Sequence, residues 1–159
     1  MSKIQDTKEI ISKELSINFV FLENDKYLGL FINNKSDVFS IIKFLKENKK
    51  LLFNQLIDIT AIDYPSRELR FEVIYLLISL TLNQRILIKT TINENDNLES
   101  ISSIHKAANW YERECYDLFG IKFFNHPDLR RIMTDYNFEG HPLRKDFPLT
   151  GYNEVRYDD

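Results

Sequence analysis

The chain has 159 residues, 43% hydrophobic and 28% charged, with four glycines and four prolines. That composition suits one folded domain with its own core and excludes a disordered or collagen-like chain. The net charge of −3 argues against a dedicated nucleic-acid or anionic-membrane binder. The single cysteine, Cys115, cannot form an internal disulfide, a cysteine-ligated iron–sulfur cluster or a cysteine-based zinc site.

The first segment, Ile4 to Leu15, spaces Ile4, Ile11 and Leu15 as a loose helix. Residues 17–22 and 27–32 are β-rich runs around Asn24 and Asp25, and they predict a hairpin. Ser36 is a suitable N-cap. Beyond it Val38, Ile41, Ile42 and Leu45 form one apolar stripe on a helix ending near Lys49. Phe53 to Tyr64, Arg70 to Leu82 and Arg85 to Ile92 are strand candidates, the last two paired antiparallel through Asn83 and Gln84. The middle strand is apolar on both faces, which predicts an interior position. Its run from Val73 to Leu82 is too short to span a membrane. The N-terminus, Met1 to Ile10, carries neither a secretory core nor an Arg-rich transit pattern.

Ala107 to Phe119 predicts a helix with Tyr111, Cys115, Leu118 and Phe119 on its apolar face, and Gly120 at the left-handed C-cap. The sum is an α+β fold, an antiparallel or mixed sheet packed with helices over residues 1–119. Residues 120–159 lack a period and contain three prolines and seven aromatics from Phe123 to Tyr157. They predict an extended arm, too apolar for a solvated tail and short of surface on its own domain.

The charged cluster Glu112, Arg113, Glu114 and Asp117 allows two readings. Arg113 and Asp117 are one helical turn apart and within reach of each other. Solvated or interfacial ion pairs are the plainer reading; a stand-alone enzyme would use Glu114, Asp117 and His126 as acid and base. His126 and His141 lack metal-ligand spacing, and each precedes a proline, which suggests backbone-shaping positions. His105 has no motif around it. Cys115, on the apolar face, reads as a buried small hydrophobe. Arg130 and Arg131 are flanked by Asp128 and Asp135, and Arg144 and Lys145 by Asp146. That balance points to ion pairs with protein rather than to a polyanion track. No phosphate-loop or dinucleotide fingerprint occurs.

The stretch ERECYDLFGIKFFNHPDLRRIM, Glu112 to Met133, resembles the signature of the C-type subunit of the proton-pumping NADH–quinone oxidoreductase, the thirty-kilodalton subunit family of respiratory complex I. The positions carrying it are Glu112, Arg113, Glu114, Asp117, Leu118, Phe119, His126, Arg130, Ile132 and Met133. Thr134 to Asp159 resembles the same family's C-terminal arm. The resemblance implies a cofactor-free core subunit of the hydrophilic arm, in the quinone module, with FMN, iron–sulfur clusters and quinone on other subunits. It implies packing against the forty-nine-kilodalton (D-type) subunit and near the cluster-bearing B-type subunit, and contact with the membrane only through the complex. It also implies that Glu112, Arg113, Glu114 and Asp117 fix the root of the arm. His141, Pro142, Leu143, Arg144, Lys145 and Asp146 would anchor it on a neighbour. Related alternatives are the plastid-type J subunit and a hydrogenase-related homologue. Ile, Asn and Lys total 46 residues against 8 Arg, the bias of an AT-rich coding genome. The expected location is the matrix side of the mitochondrial inner membrane, or the cytoplasmic side of a bacterial plasma membrane.

Overall fold

The computed structural model describes residues 3–22 and 27–151. The chain runs α1 (Lys3–Glu14), β1 (Phe19–Leu22), β2 (Leu28–Ile32), a 3₁₀ turn (Lys35–Asp37), α2 (Val38–Glu47), β3 (Gln55–Asp63), β4 (Phe71–Ser79), β5 (Gln84–Ile92), β6 (Asn97–Glu99), α3 (Ala108–Phe119) and β7 (Lys122–Phe124). Strands β1 to β5 form one mixed sheet in the order β1-β2-β5-β4-β3. β2 and β5 are parallel, and the other neighbours are antiparallel. This is the α+β architecture expected. The residues proposed for the tip of the first hairpin, Asn24 and Asp25, lie outside the described residues.

The core follows from alternation. In β4, Phe71, Val73, Tyr75, Leu77 and Ser79 are buried, while Glu72, Ile74, Leu76 and Ile78 on the other face are half-buried. The α2 stripe Val38, Ile41, Ile42 and Leu45 is buried as its spacing required,. Its start differs from expectation. The side chain of Asn34, not Ser36, accepts a cap bond, from the Ser36 N–H at 3.2 Å. The intervening 3₁₀ turn delays the α-helix to Val38.

α3 packs on β3, where the Cys115 thiol donates to the Ile59 carbonyl at 3.3 Å. Gly120 ends the helix at φ +79°, and its N–H donates to Tyr116 O at 2.9 Å. β7 then pairs in parallel with β6, so ordered structure continues past residue 119. From 125 to 151 the described residues form no further helix or strand. They nevertheless lie on the chain's own core, held by main-chain and ionic contacts. The described part of the arm thus makes contacts within its own chain, while many of its residues stay exposed.

Candidate subunit interface

Two buried carboxylates of α3 organise everything that follows the helix. The buried stripe of α3 is Ala108, Glu112, Cys115 and Phe119, with Asp117 also buried beside it. Neither acid is solvated: each accepts hydrogen bonds from other segments, and Asp117 also pairs with Arg131. Glu112 Oε1 accepts from the Ile101 N–H at 2.7 Å, and Oε2 from the Ser100 hydroxyl at 2.6 Å. Among the described residues no ammonium or guanidinium pairs with it, and His126 Nε2 lies 3.8 Å away. Burial pushes its carboxyl up to about 7, against the opposing pull of those two hydrogen bonds,.

His126 is shaped by its backbone surroundings. The Asp128 N–H donates to Nδ1 at 3.0 Å, which leaves the proton on Nε2, 3.1 Å from the Asn109 carbonyl. The ring therefore stitches the start of the arm to the first turn of α3. This agrees with the backbone-shaping reading and gives it a partner.

Asp117 does the same at the other end of the helix. Its Oδ2 accepts from the N–H groups of Ile132, Met133 and Thr134 at 3.0, 2.7 and 2.9 Å. Its Oδ1 accepts from the Thr134 hydroxyl at 2.6 Å and Arg131 Nη1 at 2.8 Å. Burial opposes ionisation, but the Thr134, Ile132 and Arg131 donors outweigh it. The carboxyl sits well below the ordinary range,. Arg113 does not pair with Asp117. Its Nε and Nη2 donate to the carbonyls of Arg130 and Arg131 at 3.0 and 3.1 Å. Helix proximity lost to main-chain acceptors that a folded-back turn placed closer. No hydrogen bond or ion pair joins the Glu114 side chain to the described residues.

Beyond the turn, residues 141–146 cross the end of the sheet. His141 Nδ1 donates to Asp117 O at 2.9 Å, and the Leu143 N–H to Leu118 O at 3.0 Å. Arg144 Nε donates to Phe119 O at 2.6 Å, and its Nη1 pairs with Glu94. The Lys145 N–H reaches Asp63 Oδ2 at 2.7 Å, while its side chain is exposed. Arg70 forks onto Asp63 at 2.7 and 2.9 Å and bridges to Asp146 at 2.8 Å. Arg70 is the main cause of the lowered pKa of both acids. Gly120 admits this crossing. A Cβ there would sit 2.7 Å from the His141 ring and 2.5 Å from Arg144 Nη2.

The structure thus brings Glu112, Asp117, His126, His141, Arg144 and Asp146 into contacts within the chain. It leaves Arg130 and Lys145 at the surface. Ser100, Asp63, Arg70 and Glu94 were not found from sequence, because their partners are 7 to 82 residues away and no local pattern marks them. Among the described residues no group of three His, Cys, Asp or Glu is placed to hold a metal.

Large apolar side chains also stay exposed here. Trp110, Phe124, Met133, Tyr136, Leu143 and Leu149 all face solvent on α3, β7 and the arm. Such a run of large apolar groups marks an interaction surface.

Comparison with known proteins gives this surface a context. Residues 31–153 match the family described as the 30 kDa subunit of respiratory-chain NADH dehydrogenase. Over 118 residues the chain is 58% identical to the C subunit of the NADH-quinone oxidoreductase of Jannaschia sp., covering 74% of this chain and 57% of that protein. It is 51% identical over 138 residues to the NADH dehydrogenase (ubiquinone) iron-sulfur protein 3 of Beta trigyna, covering 87% of this chain and 72% of that one. With the C subunit of Cereibacter sphaeroides the identity is 53% over 122 residues, 77% of this chain and 61% of that one. The chain therefore spans less than two thirds of both bacterial relatives. Among solved structures, a chain of the archaeal membrane-bound sulfane sulfur reductase, a respiratory membrane complex, superposes with a TM-score of 0.73. The identity is 25%, over 91% of this chain and 85% of that chain.

Proposed function

We infer, from the premise that this chain belongs to the 30 kDa subunit family of respiratory-chain NADH dehydrogenase, that it is a structural core subunit of an NADH–quinone oxidoreductase. It holds neighbouring subunits in register while electrons pass through them from NADH to quinone. The observation that carries this is the fate of the charged residues. Glu112, Asp117, His126, Arg131 and Arg144 all bind the chain's own backbone or side chains. Large apolar side chains are left facing outward. An enzyme site needs titratable groups free to meet a substrate, whereas a docking surface needs exposed aromatic and aliphatic anchors.

The residues do not fit an iron–sulfur cluster, which takes several thiolates. Cys115 is a lone, buried thiol donating to a strand carbonyl, and burial raises its pKa. The FMN, the clusters and quinone belong in this proposal to other subunits. Among the described residues no helix is long and apolar enough to cross a membrane, which supports a peripheral position reached through the complex. The partners we propose are subunits of the D (forty-nine-kilodalton) and B types. The described arm, folded on its own domain, would present its exposed side chains to them, on the matrix side of the mitochondrial inner membrane or the bacterial equivalent.

An affinity tag on this chain, with purification from membranes in mild detergent, tests the reading. The expected result is a particle containing the chain and reducing quinone with NADH. Recovery of the chain as a lone monomer that turns over a substrate unaided would overturn it.

A further inference from the structure

We propose that the groove between α3 and the turn at residues 130–136 receives an acidic, aromatic-bearing segment of a neighbouring subunit. This deepens the assembly reading above and rests on it. The groove has a volume of about 330 Å³, and its walls include Trp110, Arg113, Arg130, Arg131, Thr134 and Tyr136. That is the low end of the range for small ligands, and it takes one or two side chains rather than the face of a helix.

Its charge is unbalanced in one place. Three arginines line it against one acid, Asp135. Arg131 is matched by Asp117, and Arg130 by Asp128 at 2.9 Å. No ion pair links Arg113 to a carboxylate of the described residues. Its Nε and Nη2 are fixed by two backbone carbonyls, and the Trp110 ring lies 5.7 Å from its guanidinium carbon. Nη1 has no hydrogen bond to the described residues. A guanidinium held in place with an unused edge is preorganised for a carboxylate.

The walls ask for more than an anion. Trp110 is 65% exposed, Tyr136 99%, and Met133, beside the lining residue Ile132, 64%. Trp, Tyr and Arg at one concave site are the residue types that dominate binding at interfaces. A free inorganic anion would satisfy Arg113 and leave these rings wet. A carboxylate carried beside an aromatic side chain on one extended segment satisfies both features.

The test uses the assembled complex, with a photo-reactive benzoyl-phenylalanine in place of Tyr136, followed by mass spectrometry of the cross-linked peptide. The expected peptide comes from a different subunit and carries Asp or Glu within a few residues of Phe, Tyr or Trp. In parallel, a Trp110→Ala/Tyr136→Ala variant is expected to dissociate from the particle about tenfold faster in a detergent wash. The proposal is overturned by a cross-link to residues 152–159 of this chain, to a second copy, to lipid or to a peptide without an acid. An unchanged dissociation rate also overturns it, as does the absence of any cross-link in a particle that keeps all its subunits. Those outcomes leave the assembly role intact. Failure of the unsubstituted chain to enter any such particle removes the assembly role itself.

Discussion

Glu112 and Asp117 stand five residues apart on α3, both without exposed surface, and their carboxyls shift in opposite directions. Glu112 has two donors and no close cation, so burial dominates and the acid is raised to about 7. Asp117 has five donors, three from consecutive backbone N–H groups and one from an arginine. The helix macrodipole favours a negative charge at the N-terminal end and disfavours one at the C-terminal end. Asp117 lies near the C-terminal end and is nevertheless the better-stabilised anion. Local donor count therefore overrides both burial and the dipole. The Asp117 end builds a turn around a fixed charge, while the Glu112 end holds a carboxyl whose charge changes near neutral pH.

The sharpest way to break this contrast is Asp117→Ala. It leaves three N–H groups, a hydroxyl and Arg131 without their acceptor, and is expected to destabilise the chain by about 3–5 kcal/mol in urea unfolding. The Asp117 contribution should be present above the ordinary value of 3.8 and fade as pH falls below it, because its folded-state pKa is lowered,. Glu112 has the reverse sign. Its folded-state pKa is raised from 4.5 to about 7, so between those values the folded chain holds a proton that the unfolded chain has released. Stability should then fall as pH rises through that window, by up to about 3 kcal/mol. Glu112→Gln, which cannot ionise, should flatten that slope. A slope equal to that of the parent would assign the titration to a group other than Glu112.

Gly120 couples the helix to the arm and is expected to show the next largest effect. Gly120→Ala forces a Cβ into φ +79° and against His141 and Arg144, for an expected loss of about 1–2 kcal/mol. Asn tolerates the left-handed region better than Ala, so Gly120→Asn separates two causes. If Asn restores stability, backbone strain was the problem. If Asn is as damaging as Ala and amide exchange rises across 141–146, close approach of the arm was the problem, as the geometry implies.

The sequence made some of this legible and hid the rest for definite reasons. β3, β4, β5 and α3 were readable because burial imposes a period on them, and Gly120 because a helix end needs a left-handed residue. The place of Glu112 was also readable in principle. It falls in the stripe Ala108, Glu112, Cys115, Phe119, and an acid there must find donors. The parallel pairing of β2 with β5 was hidden, because it joins residues 28–32 to 86–90 with no local trace. The arm was hidden for another reason. Asp117, Arg113 and Arg144 hold it through backbone groups, and side-chain periodicity does not register main-chain partners. Arg70, Glu94 and Asp63 meet the arm only once the sheet has formed.

The smallest expected effect probes two neighbours that the sequence treats alike. Arg130 pairs with Asp128 where both side chains are more than half exposed, whereas Arg131 joins the fully buried Asp117 and also donates to Gly140 O. An exposed pair gains little, because solvent screens it and two long side chains must be ordered. Arg130→Ala should therefore change stability by less than about 0.5 kcal/mol, with the Arg113 bond to the Arg130 carbonyl intact. Arg131→Ala removes the cation paired with that buried anion and should cost several times more in the same urea titration,. Equal losses at the two positions would mean that the turn is held from its solvent side, and the account of Asp117 as its organising charge would fail.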